Sequence, residues 1–163
     1  DSADAWLGGF GDRERTLQIM KDPRSGPIAV VTLVLVLLLK FCALWALVEH
    51  GVGVDLILAP VVGRAAMLGL FLCTPYVRPG GLGQALAEHL PRAAAGWVLL
   101  GSAVLCLAVG GWPVIWVLVA VLGVFAWLRH VMCRRLGGTT GDTAGAMLEL
   151  LELTVVVGLA LAL

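Results

Sequence analysis

Five long stretches of this chain contain almost nothing polar. They run over about residues 28–48, 54–73, 93–109, 112–128 and 144–163, and the first reads "IAVVTLVLVLLLKFCALWALV". A helix on the surface of a water-soluble domain keeps one polar face, and none of these stretches has one. Each is close to the ~20 residues needed to cross a hydrocarbon core. In lipid the backbone has no water to turn to, so each is predicted to be an α-helix. The pattern predicts an all-α, polytopic transmembrane helical bundle, a single integral membrane domain over residues 1–163. Tight connections separate some of the spans, "EHGVG" after the first and "GGWP" between the third and fourth.

Composition agrees with the pattern. Apolar residues make up 60% of the chain, charged residues 13%, and mean hydropathy is +0.99. A soluble domain is about half apolar and about a quarter charged, which excludes that class. Eleven basic and eleven acidic residues cancel, so no broad nucleic-acid surface is expected. Cys42, Cys73, Cys106 and Cys133 are scattered, with no ligand-like spacing. They read as small apolar core residues rather than disulfide or metal partners.

Charge then gives direction. Arg13, Arg15, Lys21 and Arg24 precede the first span, Arg78 and Arg92 lie in the 74–92 loop, and Arg129, Arg134 and Arg135 surround the 129–143 loop. "EHGVG" and "GGWP" carry no Lys or Arg. Basic loops stay on the cytoplasmic side, so the three basic segments are expected there together, with residues 1–27 forming a cytoplasmic segment. The polar segments of the chain therefore share one face and are able to build one site.

Four charges fall inside the apolar stretches: Lys40, Arg64, Glu149 and Glu152. Each is costly in mid-bilayer unless it is paired and faces the bundle interior. The helical rise places Arg64 ~14 Å, Glu152 ~12 Å, Glu149 ~8 Å and Lys40 ~18 Å from the cytoplasmic edge. Arg64 and Glu152 match in depth and are predicted to pair. The pair either sets helix register or leaves Arg64 on the floor of a cavity for an anionic substrate.

The polar segments hold the candidate chemistry. Asp1 and Asp4 stand three apart, on one face if helical, and Asp22 follows in "IMKD". Hard cations such as Mg²⁺ take carboxylate oxygens and share them with phosphate. The plain alternative is that Asp1 caps a helix and Asp22 is solvated. The glycines of "GGFG" allow close approach to a ligand, and Lys21 and Arg24 interleave with the acids. "GGTTGDTAGA" reads as a Gly-rich turn into the last span. Thr139, Thr140, Thr143 and Asp142 lie there, at a helix N-terminus that favours phosphate. "PYVRPGGLG" sets Arg78 in a turn, where a guanidinium can grip phosphate with two bonds. Together these features favour a membrane enzyme acting on a phosphorylated substrate.

"ADAWLGGFGDRERTLQIMKDPRSG", "APVVGRAAM", "PYVRPGGLG" and "GGTTGDTAGAMLELLEL", taken in order, resemble the successive signatures of the cobalamin synthase family, the adenosylcobinamide-GDP ribazoletransferases. The resemblance covers essentially the whole chain. The family's first motif reads approximately D-G-x-A-D-x-x-D-G after further membrane helices. Its last two aspartates match Asp1 and Asp4, with Ala5 where the family has Gly. The chain is thus expected to be a C-terminal portion, and to hold a metal poorly without the upstream aspartate. The resemblance implies that a hydroxyl of α-ribazole, or of its 5′-phosphate, attacks adenosylcobinamide-GDP and expels GMP. It implies Mg²⁺ on Asp1, Asp4 and Asp22, with Lys21, Arg24 and Arg78 on the diphosphate. Asp142 would complete the metal site or orient the alcohol, with Thr140 alongside, and Asp142 and Lys21 are the catalytic candidates. It also implies a multi-pass protein of the bacterial inner membrane, and a homo-oligomer or a membrane complex of cobalamin synthesis.

Two other readings compete. CDP-alcohol phosphotransferases have a similar Asp spacing, but their fourth Asp would fall on Gly26. A small transporter or structural subunit would use Lys40, Arg64, Glu149 and Glu152 as a path. It leaves the gathering of polar motifs on one face unexplained, and no inverted repeat supports it.

Overall fold

Eight α-helices account for the secondary structure of the computed structural model, which describes residues 1–22, 24–81 and 83–163. They are α1 (Ser2–Gly8), α2 (Arg13–Ile19), α3 (Pro27–Glu49), α4 (Leu58–Cys73), α5 (Gln84–His89), α6 (Arg92–Gly110), α7 (Pro113–Leu136) and α8 (Gly141–Ala160), with a 3-10 turn at Val54–Ile57 leading into α4. Five segments are long and apolar enough to cross a membrane: α3, Asp55–Cys73, α6, α7 and α8. The protein is a multi-pass membrane protein. Pro23, and Leu82 of the "PYVRPGGLG" motif, lie outside the described residues.

The last helix is the axis of the bundle. It packs against α4, α7 and α3, and Ala144, Met147, Leu151, Val155 and Val156 are buried along it. Gly158 lets α7 close in, since a Cβ there would lie 3.1 Å from Val117. Small residues at such crossings are how membrane helices approach without a hydrophobic driving force. By contrast, Leu35, Phe41 and Leu122 are more than half exposed on α3 and α7, as surfaces turned to hydrocarbon require. Cys106 is buried as expected, whereas Cys42 and Cys73 lie on the surface of the bundle, and all four thiols are free.

Several span ends differ from the hydropathy reading, among them the end of α7 and the start of α8. The apolar run stops at Leu128, yet α7 continues to Leu136. Arg129 interrupts hydrophobicity without breaking the helix, because its guanidinium donates to Cys73 O at 2.7 Å and Thr74 Oγ1 at 3.0 Å. It thereby serves the Cys73 carbonyl at the end of α4. Gly137, with φ 76°, then stops α7 in the left-handed region. The last helix begins at Gly141, ahead of residue 144, because Thr140 and Thr143 form a capping box there.

The short helices α1, α2 and α5 are absent from the hydropathy pattern. Segments of this length are marginal alone. Asp12 caps α2 by accepting from Arg15 N–H at 2.7 Å, and Ala5, Met20 and Leu136 bury one another beneath α1 and α2. Cross-links then gather the polar segments at one end of the bundle. Arg135 donates to Trp6 O at 2.5 Å, and Arg13 Nε donates to Leu136 O at 2.7 Å. Val77 N–H donates to Thr139 O, and Thr139 N–H to Pro75 O, both at 2.9 Å.

Candidate functional site

Two clefts open at this polar end. The first, of about 310 Å³, is lined by Asp1, Asp4, Ile19, Asp22, Arg24 and Gly26. Asp4 comes from α1 and Asp1 from the position just before it, and Asp22 and Arg24 come from the turn before α3. The structure thus brings the three candidate metal aspartates and Arg24 to one place, while Lys21 is exposed and does not line the cleft.

Two of these carboxylates already have partners. Asp4 accepts from Gly26 N–H at 2.6 Å and from Ala29 N–H at 3.1 Å. It satisfies amides that the start of α3 leaves free and sets negative charge at the positive end of the helix. Gly26 is required, since a Cβ there would lie 2.7 Å from the Asp4 carboxylate. Asp22 Oδ1 accepts from Arg24 N–H and Nε at 3.0 Å each, and Oδ2 from the terminal guanidinium nitrogen at 2.9 Å. The Arg24 guanidinium holds the Asp22 carboxyl below its ordinary 3.8, with help from the Arg24 amide, and Asp22 in turn raises Arg24.

A divalent cation needs carboxylate oxygens turned toward one point. Among the described residues no three His, Cys, Asp or Glu side chains form such a group. Asp4 faces the α3 amides and Asp22 faces Arg24. Mg²⁺ therefore does not fit these three carboxylates as they are arranged, although the residue types are suited to it.

The second cleft, of about 550 Å³, lies between the end of α4, the following loop and α5. Its walls include Phe71, Tyr76, Arg78, Gln84, Glu88 and Arg92. Arg78 donates to Asp142, which stands in the first turn of α8. The paired backbones at Pro75–Val77 and Thr139 hold these two residues in reach of each other. Gly138 makes that pairing possible, because a Cβ there would overlap Pro75 O. Arg78 and Asp142, which the sequence assigns separately to diphosphate and to metal or alcohol, are therefore partners.

Thr140 has a different task from the substrate contact expected of it. It is fully buried, and its hydroxyl accepts from Thr143 N–H at 3.3 Å as the cap of α8. Its Oγ1 also lies 3.9 Å from Met20 Sδ, which ties α8 to the segment bearing the first cleft. The N-terminus of α8 thus meets both segments, Thr140 lying against Met20 and Asp142 pairing with Arg78 of the second cleft.

Arg64 lines neither cleft. It donates to Glu152 within the spans, as depth matching predicts. Lys40 joins them, donating to Glu152 at 2.8 Å and to Glu149 at 3.1 Å. Sequence reasoning passed over Tyr76, Gln84 and Glu88 as site residues. The signal for them was the density of polar residues in "TPYVRPGGLGQALAEHLPR", which named a segment but no side chain.

Comparison with known proteins gives the chain its relatives. Residues 1–160 match the family model described as cobalamin-5-phosphate synthase. A protein named adenosylcobinamide-GDP ribazoletransferase from Pseudomonas putida (strain W619) is 84% identical over 162 residues, which is 99% of this chain and 66% of that protein. A protein of the same name from Pseudomonas entomophila (strain L48) is 80% identical over 161 residues, again 99% and 66%. One from Pseudomonas fluorescens (strain Pf0-1) is 70% identical with the same coverage. The chain spans 66% of the length of these curated relatives. No solved structure matches.

Proposed function

The chain belongs to the cobalamin-5-phosphate synthase family, and from that premise we propose that it carries the polar face of a membrane phosphotransferase. The reaction joins α-ribazole, or its 5′-phosphate, to adenosylcobinamide-GDP. An acceptor hydroxyl oxygen forms a bond to the phosphorus attached to cobinamide. The bond from that phosphorus to the GMP phosphate breaks, and GMP leaves with the electron pair. The hydroxyl proton passes to a base. The products are the joined cobalamin (or its 5′-phosphate) and GMP.

The observation that supports this reading is the convergence of three sequence-distant polar segments at one end of the bundle. Phosphoryl transfer asks little covalent chemistry of the protein and much positioning and charge neutralisation. Arg24 and Arg78 are the proposed diphosphate and phosphate donors, with Lys21, exposed next to Asp22 in the chain, as a further cation. Asp142 is the proposed base: it is held by Arg78, which lines the second cleft, and is freed when an anion takes Arg78. Asp1, Asp4 and Asp22 are the residues that would hold Mg²⁺ were their oxygens turned to one point, and the ion would supply charge neutralisation for the diphosphate. The basic loops favour the cytoplasmic face of the bacterial inner membrane for this end.

Product analysis tests the proposal. Full-length protein in lipid nanodiscs, given adenosylcobinamide-GDP and either ribazole form, is expected to release one GMP for each joined corrinoid. Release of CMP from CDP-alcohols without such joining would replace it with the lipid-enzyme reading.

A further inference from the structure

One face of α7 belongs to neither cleft. Trp116, Ala120, Gly123, Trp127, His130 and Arg134 follow one another at spacings of four and three. On a helix that spacing forms a single stripe, here ~27 Å long. All six residues are exposed, while Val114, Val117, Val121 and Met132 turn the opposite side of α7 into the core.

We propose that this stripe seats an anionic phospholipid of the leaflet at the polar end, with an acyl chain along Ala120 and Gly123 and the phosphate on His130 and Arg134. The seat is separate from the transfer chemistry proposed above and does not rest on it.

Charge carries the first part of the argument. Arg13, Arg24, Arg78, Arg129 and Arg135 stand at the same end, and each donates to another group of the protein. His130 and Arg134 have no ion-pair partner among the described residues. They lie on the same face of one helix, four residues apart, and both offer N–H donors. A phosphodiester supplies the negative charge and acceptor oxygens that this pair lacks.

Depth carries the second part. Trp side chains settle where hydrocarbon gives way to headgroups, and Trp127 is exposed in the last turn of the apolar run. His130 lies ~5 Å and Arg134 ~10 Å farther along the axis, at headgroup level. On the hydrocarbon side of Trp127 the stripe turns small. A Cβ on Gly123 would meet nothing within 4 Å, and Ala120 continues the trough as far as Trp116. Between the two indoles the trough is ~16 Å long, about the depth of one leaflet of hydrocarbon. A free anion has no use for it.

A second copy of the chain fits the stripe less well. Small residues on a membrane helix serve helix pairing in many proteins. A two-fold pairing within one membrane sets α7 parallel to its mate, however, with Arg134 against Arg134 and His130 against His130. Like charges so placed repel. A lipid meets the same surface with complementary charge.

Native mass spectrometry of the full-length protein in mild detergent tests the inference, by titration with dioleoyl phosphatidylglycerol, dioleoyl phosphatidylcholine and inorganic phosphate in turn. Phosphatidylglycerol is expected to bind at least about fivefold more tightly than phosphatidylcholine, the effect of one basic side chain or more at an anionic surface. Arg134→Gln is expected to bring that ratio to about two or less, and Arg134→Lys to keep most of it. Arg92→Gln, which removes another exposed cation at the same end, should leave the ratio unchanged. Gly123→Leu fills the trough and should weaken both lipids alike. Equal affinity for the two lipids would overturn the inference, and so would an equal loss of preference in Arg92→Gln, which would show diffuse charge in place of a seat. Displacement of the lipid by inorganic phosphate would overturn it in favour of a free-anion site. A dimer lost in Gly123→Leu would overturn it in favour of a second copy.

Discussion

Arg64 of α4 and Lys40 of α3 donate to opposite oxygens of the same Glu152 carboxylate on α8. Glu152 is largely buried, and Gly63 makes room for it, since a Cβ there would lie 2.8 Å from Glu152 Cγ. One acid thus pins three spans in register. In the membrane Arg64 is not tolerable without it, while Lys40 has Glu149 as a second partner.

Glu152→Gln is therefore predicted to cost about 3 kcal/mol of stability, because Arg64 is left without a partner inside the membrane. Arg64→Gln should cost less, about 1 kcal/mol, since Glu152 keeps Lys40. Thermal unfolding in nanodiscs measures both. The Arg64 variant should retain the wild-type KM for adenosylcobinamide-GDP. A large rise in KM would make Arg64 a substrate group instead.

Gly138→Ala is predicted to damage stability and site together. A Cβ would overlap Pro75 O, which is backbone and has no rotamer by which to move aside. Overpacking of this kind costs about 1–3 kcal/mol. The paired backbones at Pro75–Val77 and Thr139 should separate, drawing Arg78 from Asp142. GMP release should then fall in the fraction that stays folded, while Gly123→Ala, where a Cβ meets nothing, serves as the control.

The Asp22–Arg24 pair predicts a defined pH dependence. Its folded-state carboxyl titrates below 3.8, held down by the Arg24 guanidinium. A depressed carboxyl contributes stability above its unfolded value and loses it as pH falls through the folded one. The stability difference between wild type and Arg24→Gln should be constant from pH 5 to 8 and should shrink toward zero below the ordinary carboxyl range. Both groups are open to solvent, so 1 M NaCl should shrink it as well. A difference that instead grew on acidification would contradict the pairing.

Much of the fold was legible because lipid leaves few options. An apolar run without a polar face has to be a helix, and mid-bilayer charges at equal depth have to meet, as Arg64 and Glu152 do. The end of α7 was not legible, because hydropathy registers the charge of Arg129 and not the Cys73 carbonyl and Thr74 hydroxyl that receive it. The site was legible in part. Asp1, Asp4 and Asp22 share a cleft, but that Asp4 spends its oxygens on the α3 amides depends on the path of the chain at Gly26. Arg78 and Asp142 are 64 residues apart, and no local spacing announces a pair made by the Pro75–Val77 backbone lying beside Thr139. Thr140 looked like a ligand group because a cap and a binding hydroxyl have the same sequence at a helix start.

The central claim is that this polar end performs transfer, with Asp142 receiving the acceptor's proton. Single-turnover GMP release by full-length Asp142→Asn, with adenosylcobinamide-GDP and α-ribazole 5′-phosphate saturating, tests it most directly. The account predicts a loss of about 10²–10⁴-fold in rate, the range for removal of a general base, with melting temperature and GDP affinity near wild type. Release at the wild-type rate by a folded Asp142→Asn protein would contradict it.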